Sequence, residues 1–163
     1  MASQQEIFFR LMRHPLRVRL FLFWFLPSAF FSGVRPVLVN ENECVVKVPY
    51  KWFSRNPFKS TYFACLAMAA EMSTGILALS LIYKRKPGVS MLVTRLEAEY
   101  FKKASDVTHF TCKDGQAMKE VVLKAISDGL SHTFIAESIG CNAQGDRIAV
   151  FRITWSFKAR ATS

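Results

Sequence analysis

The sequence predicts an α+β protein in which an antiparallel sheet wraps one long buried helix. Three observations carry this reading. Residues 61–83 are apolar on nearly every side, with no proline and the single internal glycine Gly75, the pattern of a helix enclosed by a core or crossing a bilayer. Alternating or β-branched runs stand before and after it, in pairs joined by turn residues. Strands grouped around one buried helix define an α+β arrangement. The 163 residues suffice for one domain with a real core, read as residues 1–163 with an N-terminal helical segment over 1–33 and a core over 34–158.

The elements follow in order. Residues 6–26 mix apolar side chains with arginines and turn purely apolar from Leu20 to Leu26. Pro15 either opens a second helical piece or breaks the segment, and Pro27 and Gly33 mark its exit. The basic stretch, the apolar run and Ser28-Ala29 loosely match a signal peptide, but the apolar run is short and the basic part long. Fewer than about 20 apolar residues cannot span a bilayer. An interfacial helix with arginines out and Phe, Trp and Leu in is one reading, giving peripheral membrane contact through residues 6–31; a helix laid on the protein's own core is the commoner one. Val34 to Val39 and Cys44 to Tyr50 form a hairpin across Asn40-Glu41-Asn42.

The central helix is expected over Thr61 to Tyr83, about 35 Å at about 1.5 Å per residue, with Ser60 as its N-cap. Lys84, Arg85 and Lys86 suit the negative end of its dipole, and Pro87-Gly88 stops it. Its length would just cross a bilayer core, but Glu71 sits at its middle, where a charge is costly in lipid. After it, residues 90–102 alternate, with Leu92, Leu96, Ala98 and Tyr100 on one side and Arg95, Glu97 and Glu99 on the other. Val107 to Cys112 continues as a strand. Gln116 to Ser127 switches to helical spacing between Asp114-Gly115 and Asp128-Gly129. Leu130 to Ile139 and Arg147 to Lys158 form a long hairpin across Asn142 to Gly145. In the last strand Ala149, Phe151, Ile153, Trp155 and Phe157 share a face.

Composition narrows the function classes. Apolar residues make up 51% and charged residues 21%, with 15 phenylalanines, a globular and somewhat greasy chain. A net charge of +10 raises the question of nucleic acid, anionic membrane or a phosphate-bearing ligand, although charge bears on solubility as much as on partners. No helix-turn-helix, RNP-like or zinc-finger pattern accompanies it, so no nucleic acid is expected. Cys44, Cys65, Cys112 and Cys141 form no CxxC pair, and His14, His109 and His132 are not spaced with them as metal ligands. Reduced thiols of a cytoplasmic protein, with no metal, are the expectation.

That element order, with a nearly all-apolar helix inside a curled sheet, resembles the hot-dog fold, and the resemblance sharpens in the helix. Many hot-dog thioesterases, including the phenylacetate-pathway type, show an Asn, His-Gly-Gly six residues later, and an Asp or Glu nine residues after that His. Here Asn56, Tyr62-Phe63-Ala64 and Glu71 keep both spacings. The likeness covers most of the chain in element order and is specific only over Asn56 to Glu71. With its arginine-rich N-terminal helix the chain looks most similar to an uncharacterised bacterial subfamily of that superfamily. His becomes Tyr62 and the two glycines become Phe63 and Ala64, whose side chains take up the space that glycine leaves for a close backbone approach.

The chemistry can be argued from the residues themselves. Thioester hydrolysis needs a base or nucleophile beside the carbonyl and donors for the developing oxyanion. A helix start offers unpaired N–H groups at a positive dipole end, here those of Phe63 to Cys65. Glu71 lies about two turns further on, and an apolar wall should raise its pKa into the range of a general base. Asn56 precedes the helix, placed to orient water or the thioester. Against these stand plain structural readings: Glu71 as a buried acid at a dimer interface, Asn56 as a turn residue, Tyr62 as pocket wall, Cys65 as an inert core thiol, His132 as a half-buried histidine. Lys59, Lys84, Arg85 and Lys86 are either a coenzyme A phosphate site or a solvated face. The resemblance implies an acyl-CoA or related acyl thioester as substrate, no cofactor, and a homodimer or dimer of dimers whose sites combine two subunits. A non-catalytic acyl or lipid binder of the same fold is the alternative.

Overall fold

A computed structural model describes residues 3–160. The N-terminal segment forms three helices, one more than the sequence suggested. Helix α1 spans Gln4–Arg13, with the Ser3 side chain accepting from the Glu6 N–H at 3.1 Å. Helices α2 (Pro15–Phe25) and α3 (Pro27–Ser32) each open on proline, which lacks an N–H that the first turn could not bond in any case. Pro27 therefore starts a helix instead of marking an exit. Gly33, at a left-handed φ of 77°, closes α3.

Strands β1 (Arg35–Val39) and β2 (Cys44–Val48) pair antiparallel as the expected hairpin. The Asn40 side-chain oxygen folds the turn by accepting the N–H groups of Asn42 and Glu43, each at 2.9 Å. The central helix α4 runs Phe63–Ile82, two residues shorter at its start than expected. Ser60 is not its cap: the flanking residue is Tyr62, whose side chain makes no capping bond. The Ser60 hydroxyl points instead to Asn56 Oδ1, 3.2 Å away. Strands β3 (Val89–Tyr100) and β4 (Thr108–Cys112), helix α5 (Gly115–Asp128), and strands β5 (His132–Cys141) and β6 (Arg147–Ala159) complete the chain. The helical spacing of Gln116 to Ser127 is thus realised as a helix.

All six strands form one antiparallel sheet in the order β1-β2-β4-β5-β6-β3. The sheet curls around α4, which buries Leu66, Ala69, Ala70, Leu77 and Ala78 against Val46, Phe110, Phe151, Ile153 and Phe157. This is the hot-dog arrangement. Although α4 is long and apolar enough to cross a membrane, most of it is buried inside the molecule. Hydroxyls inside the core pin the helix in register: Ser73 to Ser138 at 2.8 Å, the Trp155 indole N–H to Thr74 at 3.0 Å, and the Gln5 amide to Ser80 at 3.1 Å. Buried polar groups of this kind must be paired, so they favour one seating of α4.

Strand β3 corrects the sequence reading. A bulge between Val93 and Arg95 shifts its register on β6, and an extra residue reverses which face the following side chains take. Met91 and Val93 lie on the core side of the sheet before the bulge and Leu96, Ala98 and Tyr100 on that side after it, Leu96 and Tyr100 still 47% and 50% exposed; each pairs with a buried residue of β6. Leu92 pairs with Ser156 and points outward, 66% exposed. The sequence pattern grouped it with Leu96 because strict alternation cannot register a bulge.

Candidate active site

The chain is held tightly as it enters α4. Thr61 donates its N–H (2.7 Å) and its hydroxyl (3.0 Å) to the Ala104 carbonyl, and the Tyr62 N–H donates to the Ser54 carbonyl at 2.7 Å. Asn56 organises the preceding loop. Its side-chain oxygen accepts the N–H groups of Phe58 and Ser60 at 3.0 and 3.2 Å as well as the Ser60 hydroxyl, and its own N–H donates to the Ser60 carbonyl at 2.8 Å. Of the Asn56 carboxamide, only the NH₂ end remains without a partner among the described residues.

Three backbone donors were expected at the start of α4, and two remain. The Cys65 N–H is already bonded to the Tyr62 carbonyl at 2.9 Å. The N–H groups of Phe63 and Ala64 have no backbone acceptor among the described residues, as the first positions of a helix do not. The Cys65 side chain is buried, its thiol 3.7 Å from the Ser32 hydroxyl, and belongs to the core. Tyr62 and Phe63 are exposed, their rings 5.1 Å apart edge to face. With Asn56, Tyr100, Phe101 and Lys103 they line an open cleft of about 900 Å³.

Glu71 faces a different space. It lines an apolar cavity of about 150 Å³ roofed by the N-terminal helices, with Phe8 and Met12 of α1, Phe21 and Leu22 of α2, Ile76 of α4 and Met91 of β3 around it. Glu71 is the one charged residue lining that cavity, and its carboxylate makes no hydrogen bond or ion pair among the described residues. Its side chain is exposed, which corrects the expectation of a buried acid: the carboxylate stands at the open rim of an apolar space. The surrounding hydrocarbon still disfavours the ionised form, and desolvation lifts its pKa above the ordinary glutamate value.

Gly75 is the site residue that sequence reasoning passed over. A Cβ there would lie 3.2 Å from Glu71 Oε1 and 3.4 Å from the Trp155 ring. Its missing side chain leaves room for the carboxylate one turn back along the helix. A lone glycine inside an otherwise apolar helix was the available signal, because glycine costs about 1 kcal/mol there against alanine and needs a reason to persist.

Within one protomer the two halves of the motif are not brought together. Asn56 and the helix start line the open cleft, while Glu71 lines the apolar cavity. From Ala64 to Glu71 the rise is about 10 Å at about 1.5 Å per residue, too far for both to reach one thioester carbonyl. Nor do the basic candidates for phosphate binding cluster. Lys59 lies in the loop before α4, and Lys84 to Lys86 follow its other end, a helix of 20 residues away. Arg55, Lys102 and Lys103 line the cleft instead, Lys102 being paired with Asp146 at 2.6 Å. His132 is partly buried and bonded to Asp128 at 2.7 Å, which makes it a local strut of the α5–β5 connection. Among the described residues no group of His, Cys, Asp and Glu is placed to hold a metal.

Neither a sequence-family profile nor a curated protein sequence matches the chain. Solved structures do match in fold. A Pseudomonas aeruginosa protein of unknown function, described as a probable thioesterase, superposes with a TM-score of 0.76 at 16% identity, over 92% of this chain and 99% of that one. A Chlorobaculum tepidum protein of unknown function gives 0.74 at 13%, over 89% and 94%. A Haemophilus influenzae thioesterase gives 0.63 at 11%, over 88% and 90%. The chain has the hot-dog fold, the architecture that these three structures share with it.

Proposed function

We propose that the protein hydrolyses an acyl thioester, acyl-CoA or a related carrier-bound acyl group, with Glu71 as general base or nucleophile. The observation that carries this reading is one carboxylate on the central helix of a hot-dog fold, at the rim of an apolar cavity, with its pKa raised by desolvation. A base poised nearer neutrality than a free glutamate is what proton abstraction from water calls for. The cavity takes the acyl chain. At about 150 Å³ it lies below the range of about 300–1,000 Å³ usual for drug-sized ligands, which favours a short acyl group. The N–H groups of Phe63 and Ala64 receive the developing oxyanion, the Asn56 NH₂ orients water or the thioester, and Tyr62 walls the cleft. Arg55 and Lys103 lie where a phosphate-bearing carrier would leave that cleft. The reaction needs no cofactor.

The separation of Glu71 from the helix start is resolved if each site combines Glu71 of one subunit with the cleft of another. The outer edge of β3, a 12-residue strand, is free of a strand partner among the described residues. A long open edge invites pairing with another chain. A homodimer, or a dimer of dimers, joined along β3 is therefore part of the proposal, in a cytoplasmic protein that acts without nucleic acid.

A second reading has an observation of its own. Phe63 and Ala64 carry side chains where the resembling thioesterases have glycines, and the Asn56 oxygen is committed to its loop; both fit a protein that binds acyl groups without turning them over. A panel of acyl-CoA substrates of graded chain length, assayed with wild type and Glu71→Gln, separates the two. The hydrolase reading expects turnover that falls by about 10²–10⁴-fold in the variant, the scale of general-base loss. Saturable binding with no turnover of any substrate contradicts it.

A further inference from the structure

Helices α2 and α3 and the short turn Trp52–Ser54 expose a surface that the hydrolytic site does not use. Leu16, Leu20 and Trp24 form an outward stripe at i, i+4 and i+8 of α2. Trp24 and Trp52 are 74% and 69% exposed, unusual for a side chain of this size in a soluble protein. They are ends of one connected aromatic ridge: Trp24 contacts Phe23 at 5.5 Å, Phe23 contacts Phe31 at 6.5 Å, Phe31 contacts Phe53 at 5.8 Å, and Phe53 contacts Trp52 at 4.7 Å. A contiguous exposed patch of this kind marks an interaction surface.

The ridge borders a shallow groove lined by Arg19, Arg35 and Lys51. None of the three has a carboxylate partner among the described residues, and no acidic residue lines the groove. The absence of acid extends along the sequence: residues 7–40 and 44–70 contain no Asp or Glu, yet hold nine Arg and Lys. Gly33 makes the third cation possible, since a Cβ there would lie 2.7 Å from Lys51 Nζ, and its left-handed φ of 77° also disfavours any other residue.

We propose that this face docks on an anionic phospholipid bilayer, the aromatic ridge and the α2 stripe entering the headgroup boundary while Arg19, Arg35 and Lys51 meet lipid phosphates. Tryptophan favours that boundary because its ring is apolar and its N–H polar, and apolar burial combined with cations is how peripheral proteins hold anionic membranes. A second copy of the chain is the poorer occupant. A two-fold contact sets the same patch against itself, and here it would confront cation with cation. Single-stranded nucleic acid is poorer as well. It stacks on open ring faces, whereas three of the four ring contacts along the ridge are edge to face, at 81°, 65° and 85°, with Phe31–Phe53 tilted at 34°, and Leu16 and Leu20 offer it nothing.

The test is co-sedimentation of the full chain with phosphatidylcholine vesicles, with and without phosphatidylglycerol, read together with tryptophan fluorescence. Trp155 is buried in the core, so a blue shift and protection from an aqueous quencher report Trp24 and Trp52. The expected result is binding to the anionic vesicles alone, weakened by added salt. At about 1 kcal/mol per basic residue near the surface, the triple variant Arg19→Glu, Arg35→Glu, Lys51→Glu should partition at least about a hundredfold more weakly. Trp24→Ser with Trp52→Ser should co-sediment clearly more weakly than wild type, while Leu130→Ser, at an exposed apolar site elsewhere, should bind as wild type. Thermal midpoints confirm that the variants fold, and the salt dependence of wild type decides the matter if one does not. Salt-insensitive binding, a triple variant that binds like wild type, or a single-stranded oligonucleotide that displaces the vesicles would overturn the proposal. Glu71→Gln should bind vesicles unchanged, so failure of the hydrolase reading leaves this one standing.

Discussion

Replacing Gly75 by alanine adds one methyl group where α4 makes room for Glu71. The new Cβ would sit 3.2 Å from Glu71 Oε1 and 3.4 and 3.5 Å from two carbons of the Trp155 ring. The ring contacts are ordinary van der Waals distances, and the indole is held by its N–H bond to Thr74. The carboxylate is the end of a flexible side chain and has no bond to lose, so it is the group that moves. Alanine in a helix interior gains about 1 kcal/mol over glycine, which in a domain of this size raises the thermal midpoint by about 2–4 °C. Activity should move the other way. A misplacement of about 1 Å can cost about 10²-fold, and a shift of some tenths of an ångström corresponds to about tenfold in kcat/KM. A thermal scan and an acyl-CoA hydrolysis assay on Gly75→Ala therefore give opposite signs. A raised midpoint with unchanged kcat/KM would refute the claim that the carboxylate at this spot does the chemistry. A lowered midpoint would refute the claim that it yields.

Further outcomes follow from other parts of the molecule. Leu92→Glu places a charge on the outer face of β3, at the edge where two subunits are proposed to meet; light scattering should show a dimer becoming a monomer, and hydrolysis should disappear with it. A wild-type monomer at micromolar concentration would end the two-subunit site. In the native protein a thiol reagent near neutral pH should label Cys141 alone, because Cys44, Cys65 and Cys112 are buried, and burial holds the Cys112 thiol up to about 12 and the Cys44 thiol higher still. Labelling of Cys44 as fast as Cys141 would contradict the packing of β2 against β4. Thr74→Val leaves the buried Trp155 N–H without an acceptor and should cost about 1–3 kcal/mol in a denaturant titration.

Much of this architecture was legible in particular residues. The long apolar run from Thr61 to Tyr83 read as a core helix because Glu71 at its middle would be costly in lipid. The Asn40 to Asn42 and Asn142 to Gly145 turns fixed two hairpins, because Asn side chains bond their own backbone. The period change between Asp114 and Gly129 announced α5. Where the reading failed, the cause was three-dimensional. Ser60 looked like a cap, but Asn56 had already claimed its hydroxyl. Leu92 was assigned the wrong face because the bulge at Thr94 leaves no trace in apolar alternation. The spacing of Asn56 and Glu71 was readable, but not that one subunit sends them to separate spaces. The roof over Glu71 could not be foreseen either, since Phe8, Met12, Phe21 and Leu22 lie some 50 or more residues away in sequence and only docking of α1 and α2 brings them there.

The pH dependence of thioester hydrolysis tests the central claim most directly. Desolvation raises the Glu71 pKa in the folded protein, so the fold favours the protonated form. Its contribution to stability is complete below the unfolded glutamate pKa and is lost as pH rises through the folded value, whereas the base is competent only above that value. kcat/KM should therefore fall on the acid side with an apparent pKa above that of a free glutamate. The residual activity of Glu71→Gln should lack this limb, and the variant should be as stable as wild type or more so near neutrality. The same acid limb in Glu71→Gln, or a wild-type rate that stays flat down through the ordinary glutamate range, would contradict the account.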